Sequence, residues 1–177
     1  MIKIRIGGWA GQGTVRAGTI LGRSLSIEQG YHVVQQRSYS AAVRSGIAYS
    51  DVIADKKELD ELVIDTPNYL LVMYQNTLDE WEDTAKKVDV LIVDSSRVEN
   101  VPEIPGKIYE VPAGKIAEDI GTAKAANVVL LGSLARVSEK IDIDMLKKTV
   151  REEFPEKYTE LNIEALEKGF EEVSDRE

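Results

Sequence analysis

Apolar and polar positions alternate from the first residues of the chain. Ile2, Ile4 and Ile6 are separated by Lys3 and Arg5, a period of two that predicts a strand over 2–6 with one face buried. The pattern breaks at Gly7-Gly8-Trp9-Ala10-Gly11-Gln12-Gly13, a glycine-rich loop. Beyond it Ala17, Ile20, Leu21 and Leu25 fall on one helical face, with Thr14 placed to cap the helix and Gly30 to end it. Further strands are expected over 31–37, 47–54, 69–74, 88–93 and 107–111. The runs at 69–74 and 88–93 are apolar almost throughout, as in strands buried on both faces. Helices are expected over 76–87, 113–120, 125–137, 142–153 and 162–173, with Pro155 between the last two. Strands alternating with helices predict a single α/β domain over 1–177, a mostly parallel sheet with helices on both faces and a helical C-terminal third.

Composition narrows the chemistry. The chain has 177 residues, enough for one sizeable core. It carries 22 Lys and Arg against 31 Asp and Glu, a net charge of −9, which argues against nucleic acid as a partner. There is no cysteine, so disulfides, thiolate zinc sites, cysteine-held iron–sulfur clusters and a cysteine nucleophile are excluded for this chain. No signal-peptide pattern and no apolar run of roughly 20 residues appear, and the expectation is a soluble, cytoplasmic protein without membrane contact.

The glycine loop lies between a strand and a helix N-terminus, where free backbone N–H groups and the helix dipole favour an anion such as a phosphate or carboxylate. Gly8, Gly11 and Gly13 are spaced three then two, the reverse of the dinucleotide fingerprint, and Arg37-Ser38 stands where that fingerprint has an acidic residue. No Gly-Lys-Ser/Thr follows, so a Walker-type phosphate loop is excluded as well. The bland alternative is a turn that lets the helix pack on the sheet. A second loop, Ser38-Tyr39-Ser40-Ala41-Ala42-Val43-Arg44-Ser45-Gly46, adds hydroxyls and a cation, and a parallel sheet places it at the same edge.

Other candidates read as structural. His32, the one histidine, falls within a predicted strand and is expected to be partly buried. Asp94-Ser95-Ser96 ends a buried strand and either faces the ligand crevice or caps the next segment. No G-x-S-x-G motif supports a hydrolase. Tyr69, Tyr74 and Trp81 lie on core-like faces. Trp9, a large aromatic in a glycine loop, is a candidate contact for another protein.

Taken together, the landmarks resemble one family. Gly8-Trp9-Ala10-Gly11-Gln12-Gly13 resembles the G-x-G-G-Q-G loop of the gamma subunit of 2-oxoacid:ferredoxin oxidoreductases. The 38–46 loop is similar to that family's S-Y-G-P-E-x-R-G-G segment. The stretch from Ala125 through Asn127 to Gly132 is similar to its N-M-V-x-L-G helix. Asn162, Ala165 and Gly169 match its closing N-x-x-A-x-x-x-G helix. The four landmarks stand in order over nearly the whole chain. Departures are Ala10 for a glycine, and Ser40, Ala41, Ala42 and Ser45 within the second loop.

The resemblance implies one subunit of an enzyme that oxidatively decarboxylates a 2-oxoacid with coenzyme A and passes electrons to ferredoxin. It implies alpha and beta partner subunits and, in members built of four chains, a delta subunit, which hold thiamine diphosphate, magnesium and the iron–sulfur clusters. This chain would bind no cofactor alone and carry no catalytic or metal-ligating residue. Its ligand or subunit-contact set would be Gly8, Gly11, Gln12, Gly13, Ser38, Tyr39, Arg44 and Asn127, with amides of Gly11, Gln12 and Gly13 against a coenzyme A phosphate. The Ser38-Tyr39 opening favours the 2-oxoglutarate type over the pyruvate type. A free-standing phosphate-binding module without catalysis is the second reading.

Overall fold

The structure, a computed structural model, describes residues 1–9, 11, 13–38 and 46–176. The chain runs β1 (Ile2–Trp9), α1 (Thr14–Arg23), a π turn (Ser24–Glu28), β2 (His32–Ser38), β3 (Ile47–Asp55) and β4 (Tyr69–Val72). It continues through α2 (Gln75–Glu80), α3 (Glu82–Ala85), β5 (Val90–Asp94), β6 (Lys107–Val111) and α4 (Ala113–Asp119). A 3-10 turn (Ala123–Ala125), α5 (Ala126–Val137), α6 (Ile143–Glu153), α7 (Glu156–Glu172) and β7 (Ser174–Asp175) complete it.

The sheet order is β2-β3-β1-β4-β5-β6-β7. β1, β4, β5 and β6 are parallel, as the two long apolar runs predict. β3 is antiparallel to both β1 and β2, so β2 runs parallel to β1 and ends at the same edge. The sheet is therefore parallel at its centre and antiparallel at its margins. β7, with two residues of pattern, is too short to read from sequence and pairs with Tyr109 and Glu110.

The two faces are unequal. Ile4, Ile6, Val52, Leu71 and Ile92 face a large core closed by α1, α4, α5, α6 and α7. Leu70, Val72, Leu91 and Val93 face a smaller one closed by α2, α3 and Val98. α5 is buried at every position from 126 to 135, as expected of a helix that is apolar all round.

Several boundaries move for physical reasons. β1 continues through Gly7 and Gly8 to Trp9, because both glycines pair in the ladder with β3. Thr14 does not cap α1; Gly13 does, in a left-handed conformation (φ 79°) and with no side-chain cap. The helix expected over 76–87 divides at Trp81, whose φ and ψ leave the helical region. The last helix starts at Glu156, one turn and more before Asn162, with Pro155 at its N-cap, where a missing N–H costs nothing. His32 is exposed at the start of β2, not partly buried, because β2 is an edge strand.

Candidate functional site

β1 and β4 end side by side, and the chain leaves them for α1 and α2. Here a cleft of about 670 Å³ opens on the larger-core side of the sheet. Its walls come from the glycine turn (Gly11, Gly13), α1 (Arg16), the end of β4 (Met73, Tyr74) and the turn after β5 (Arg97). Thr122 to Ala125, Asn127, and the α6–α7 junction with Phe154, Pro155, Tyr158, Leu161 and Asn162 close the other side.

The glycine turn owes its shape to conformations that side chains disfavour. Gly11 (φ 89°) and Gly13 (φ 79°) both lie in the left-handed region. That path delivers the chain into α1 with a glycine at the N-cap, which has no side chain to bond the first N–H groups of the helix. Asn127, in the first turn of α5, donates Nδ2–H to the Gly13 carbonyl at 2.8 Å. That carbonyl also accepts the first helical bond, from Ala17 N at 2.8 Å. Asn127 Oδ1 is buried without a hydrogen-bond partner among the described residues.

Arg16, Arg97 and Lys124 line the cleft, and no carboxylate does among the described residues. In a chain of net charge −9 that is a local reversal of sign. Arg16 donates to the Glu153 carbonyl at 2.8 Å and stacks on Phe154, 4.1 Å from the ring centre. Arg97 stands 3.7 Å from Asp94 and 4.0 Å from Glu118, too far for good hydrogen bonds, and lies over Tyr74. Asp94 itself is fully buried and satisfied by Ser96 N, Ser96 Oγ and Gly114 N. Asp94 therefore caps α4 and is no crevice acid. Lys124 is exposed and makes no ion pair among the described residues. No group of three or more His, Asp or Glu able to hold a metal occurs among the described residues, and no helix there is long and apolar enough to cross a membrane.

The cleft gathers Gly11, Gly13 and Asn127 of the sequence-predicted set. Gly8 lies just beneath it, as a strand residue against Met73 and Thr14. Ser38 does not reach it. Gln35 faces α1 through its bond to the Val15 carbonyl, so Ser38, three residues on, turns to the opposite face of the sheet. Gln12, Tyr39 and Arg44 lie outside the described residues. Arg16, Arg97 and Lys124 were not legible as site residues, since none belongs to a motif.

Comparison with known proteins gives the family. Residues 3–172 match the model of the family described as pyruvate ferredoxin/flavodoxin oxidoreductase. Subunit KorC of the 2-oxoglutarate synthase of Methanocaldococcus jannaschii is 31% identical over 172 residues, covering 96% of this chain and 92% of that one. The gamma subunit of a keto/oxoacid ferredoxin oxidoreductase from Geobacter sulfurreducens superposes with a TM-score of 0.86 at 30% identity, over 97% of this chain and 98% of that one. The fold also recurs, with a TM-score of 0.84 and 23% identity, within 30% of a longer chain: the 2-oxoglutarate:ferredoxin oxidoreductase of Magnetococcus marinus, solved with 2-oxoglutarate, coenzyme A and succinyl-CoA bound. It covers 96% of this chain. The chain belongs to the pyruvate ferredoxin/flavodoxin oxidoreductase family, as a subunit of its gamma type.

Proposed function

We propose that this chain is the gamma subunit of a 2-oxoglutarate-type 2-oxoacid:ferredoxin oxidoreductase, and that its cleft holds the phosphate end of coenzyme A. The reading rests on one observation above all: among the described residues the cleft carries Arg16, Arg97 and Lys124 and no carboxylate, in an acidic chain. The N-terminus of α1, whose N-cap residue gives no side-chain bond, opens beside it, while the turn leading into α5 is capped by Thr122, which accepts from Lys124 N. The bound coenzyme A of the Magnetococcus marinus enzyme, which shares the fold, supports the ligand class.

In this reading Lys124 and Arg97 neutralise phosphate charge, and the α1 amides after Gly13 donate to phosphate oxygens. Ser38 drops out of the ligand set assigned from sequence. Thiamine diphosphate, with magnesium and the iron–sulfur clusters, would supply the decarboxylation and electron-transfer chemistry on alpha, beta and delta subunits, from which electrons pass to ferredoxin. With no cysteine, this chain can give no thiolate to a cluster. The assembled enzyme would work in the cytoplasm.

The test is kinetic. Lys124→Gln and Arg97→Gln in the assembled enzyme should each raise the apparent KM for coenzyme A about tenfold or more, the scale of one lost charge-assisted bond. KM for 2-oxoglutarate should stay unchanged. An unaltered KM for coenzyme A with intact assembly refutes the ligand assignment.

A further inference from the structure

The smaller-core face of the sheet is covered unevenly. α2 and α3 close it over β4 and β5, where Leu70, Val72, Leu91 and Val93 are buried. Over β1 and β3 Trp81 lies against Gly7, Arg5 and Tyr49, and the segment 56–68 runs along β1 beside it. That segment is tied down at three points: Lys3 pairs with Glu61, Arg5 donates to the Ile64 carbonyl at 3.0 Å, and Asn68 N donates to the Lys3 carbonyl at 2.8 Å. Ile64 is turned inward, 3% exposed. Leu62 and Val63, directly before it, are turned outward, 56% and 61% exposed. In a segment anchored this firmly, two adjacent apolar side chains held in solvent mark a contact surface.

The rim identifies the kind of partner. The segment exposes Glu58, Asp60 and Asp65 without an ion-pair partner among the described residues, and against these three acids Lys57; Lys56 is turned to the Gln29 carbonyl and the Tyr31 ring. Docking of a second copy would bring these acids against their own images, in chains of net charge −9. A partner with Lys and Arg around an apolar patch fits instead. In the Magnetococcus marinus protein the same fold is 30% of one chain, so there it is built into a body much larger than itself.

We propose that Leu62 and Val63, with their acidic rim, are where this chain docks on a larger partner subunit that presents an apolar patch edged by basic residues. The proposal rests on the subunit reading of the chain. The cleft lies on the other side of the sheet, so docking here leaves it open.

The experiment is co-purification of the whole complex through a tag on this chain. Leu62→Asp/Val63→Asp should recover at least tenfold less of the partner subunits, with unchanged circular dichroism and Tm, since both sites are exposed. Asp60→Lys/Asp65→Lys should also weaken recovery and reverse its dependence on salt. Ile27→Asp, at a lone exposed apolar site (61%), should assemble like the wild type. The docking face is wrong if the aspartate pair assembles normally, or if Ile27→Asp fails equally. It is also wrong if the wild type brings down only copies of itself. A wild-type chain that purifies alone would instead sink the subunit reading.

Discussion

Asn127 and Gly13 are 114 residues apart in sequence and share one hydrogen bond, from the Asn127 amide to the carbonyl that begins α1. The bond joins the N-termini of two helices at the cleft. It also makes the site intolerant of change at Gly13. A Cβ there would collide with Asn127 Nδ2, and φ is 79°. Gly13→Ala should cost about 1–3 kcal/mol, from strain at a left-handed position together with the collision. Asn127→Ala should cost at most about 1 kcal/mol, because it removes one bond and one unpartnered acceptor together. In the double variant the collision is gone, so its loss should fall short of the sum by about 0.5 kcal/mol or more. Urea unfolding of the four proteins measures this, and strict additivity would contradict the contact.

The cleft's charge should be visible in thermal stability. Adenosine 3′,5′-bisphosphate carries phosphates like those of coenzyme A and is a suitable probe of the isolated chain. At a hundredfold excess over its Kd, a ligand that binds only the folded state adds about 2.7 kcal/mol. For a domain of this length that corresponds to a rise in Tm of about 5–11 °C. Lys124→Gln should remove most of the rise without lowering the Tm of the free protein, as Lys124 forms no ion pair among the described residues. Salt at about 0.5 M should reduce it in the wild type, by screening exposed cations. A rise that neither change affects would mean binding elsewhere.

The parts of this molecule legible in sequence are those in which one residue's chemistry sets its neighbourhood. The β1–turn–α1 unit followed from Ile2, Ile4, Ile6 and the glycines, and the buried strands at 69–72 and 90–94 from unbroken apolar runs. Parallel pairing of those strands followed from the helices between them. The β2–β3 hairpin was not legible as such, because the loop between its strands has no tight-turn signature and the sheet could have continued parallel. The cleft's cations were hidden for another reason. Arg16, Arg97 and Lys124 come from three separate segments, and only the packing of α5 against α1 and the sheet brings them to one opening. Ser38 falls on the face of the sheet away from the cleft, because one strand position decides which face a side chain takes.

α5 and α7 cross with unusually little space between their backbones. A Cβ at Gly169 would meet the Val129 carbonyl, and one at Gly132 would meet the Leu166 carbonyl. Ser133 Oγ donates across the same crossing to the Gly169 carbonyl at 3.0 Å. Both obstacles are backbone atoms of buried helices, so neither can turn aside as a side chain would. Gly169→Ala and Gly132→Ala should each lose about 1–3 kcal/mol, the range for overpacked cores, despite alanine's better helix propensity. Chemical denaturation decides it; a gain in stability at either position would show that the helices can separate freely. Val129 is two residues from Asn127 on α5, so if the cleft holds coenzyme A as proposed, Gly169→Ala should also raise its KM.

Arg5 and Asp51 test the opposite side of the sheet. They face each other across β1 and β3, with Arg5 Nε and one terminal N–H donating to the two carboxylate oxygens at 2.8 and 2.7 Å. Asp51 is 3% exposed. The guanidinium also lies 5.1 Å from the Tyr49 ring centre and 5.6 Å from that of Trp81, and its pKa is raised further by the bond to Asp51. Arg5 is thus charged at every pH at which the protein is handled. Arg5→Met keeps the bulk of the stem and removes the cation, leaving a buried carboxylate with no counter-charge. The expected loss is about 3–5 kcal/mol, as for other buried pairs deprived of one partner. Arg5→Met/Asp51→Leu should recover most of it, because two apolar side chains of similar volume fill the site without a stranded charge. If the single variant is as stable as the wild type, the pair is not buried as described. If the double variant is no better than the single, the loss comes from the aromatic contacts and the Ile64 carbonyl, which both variants abandon.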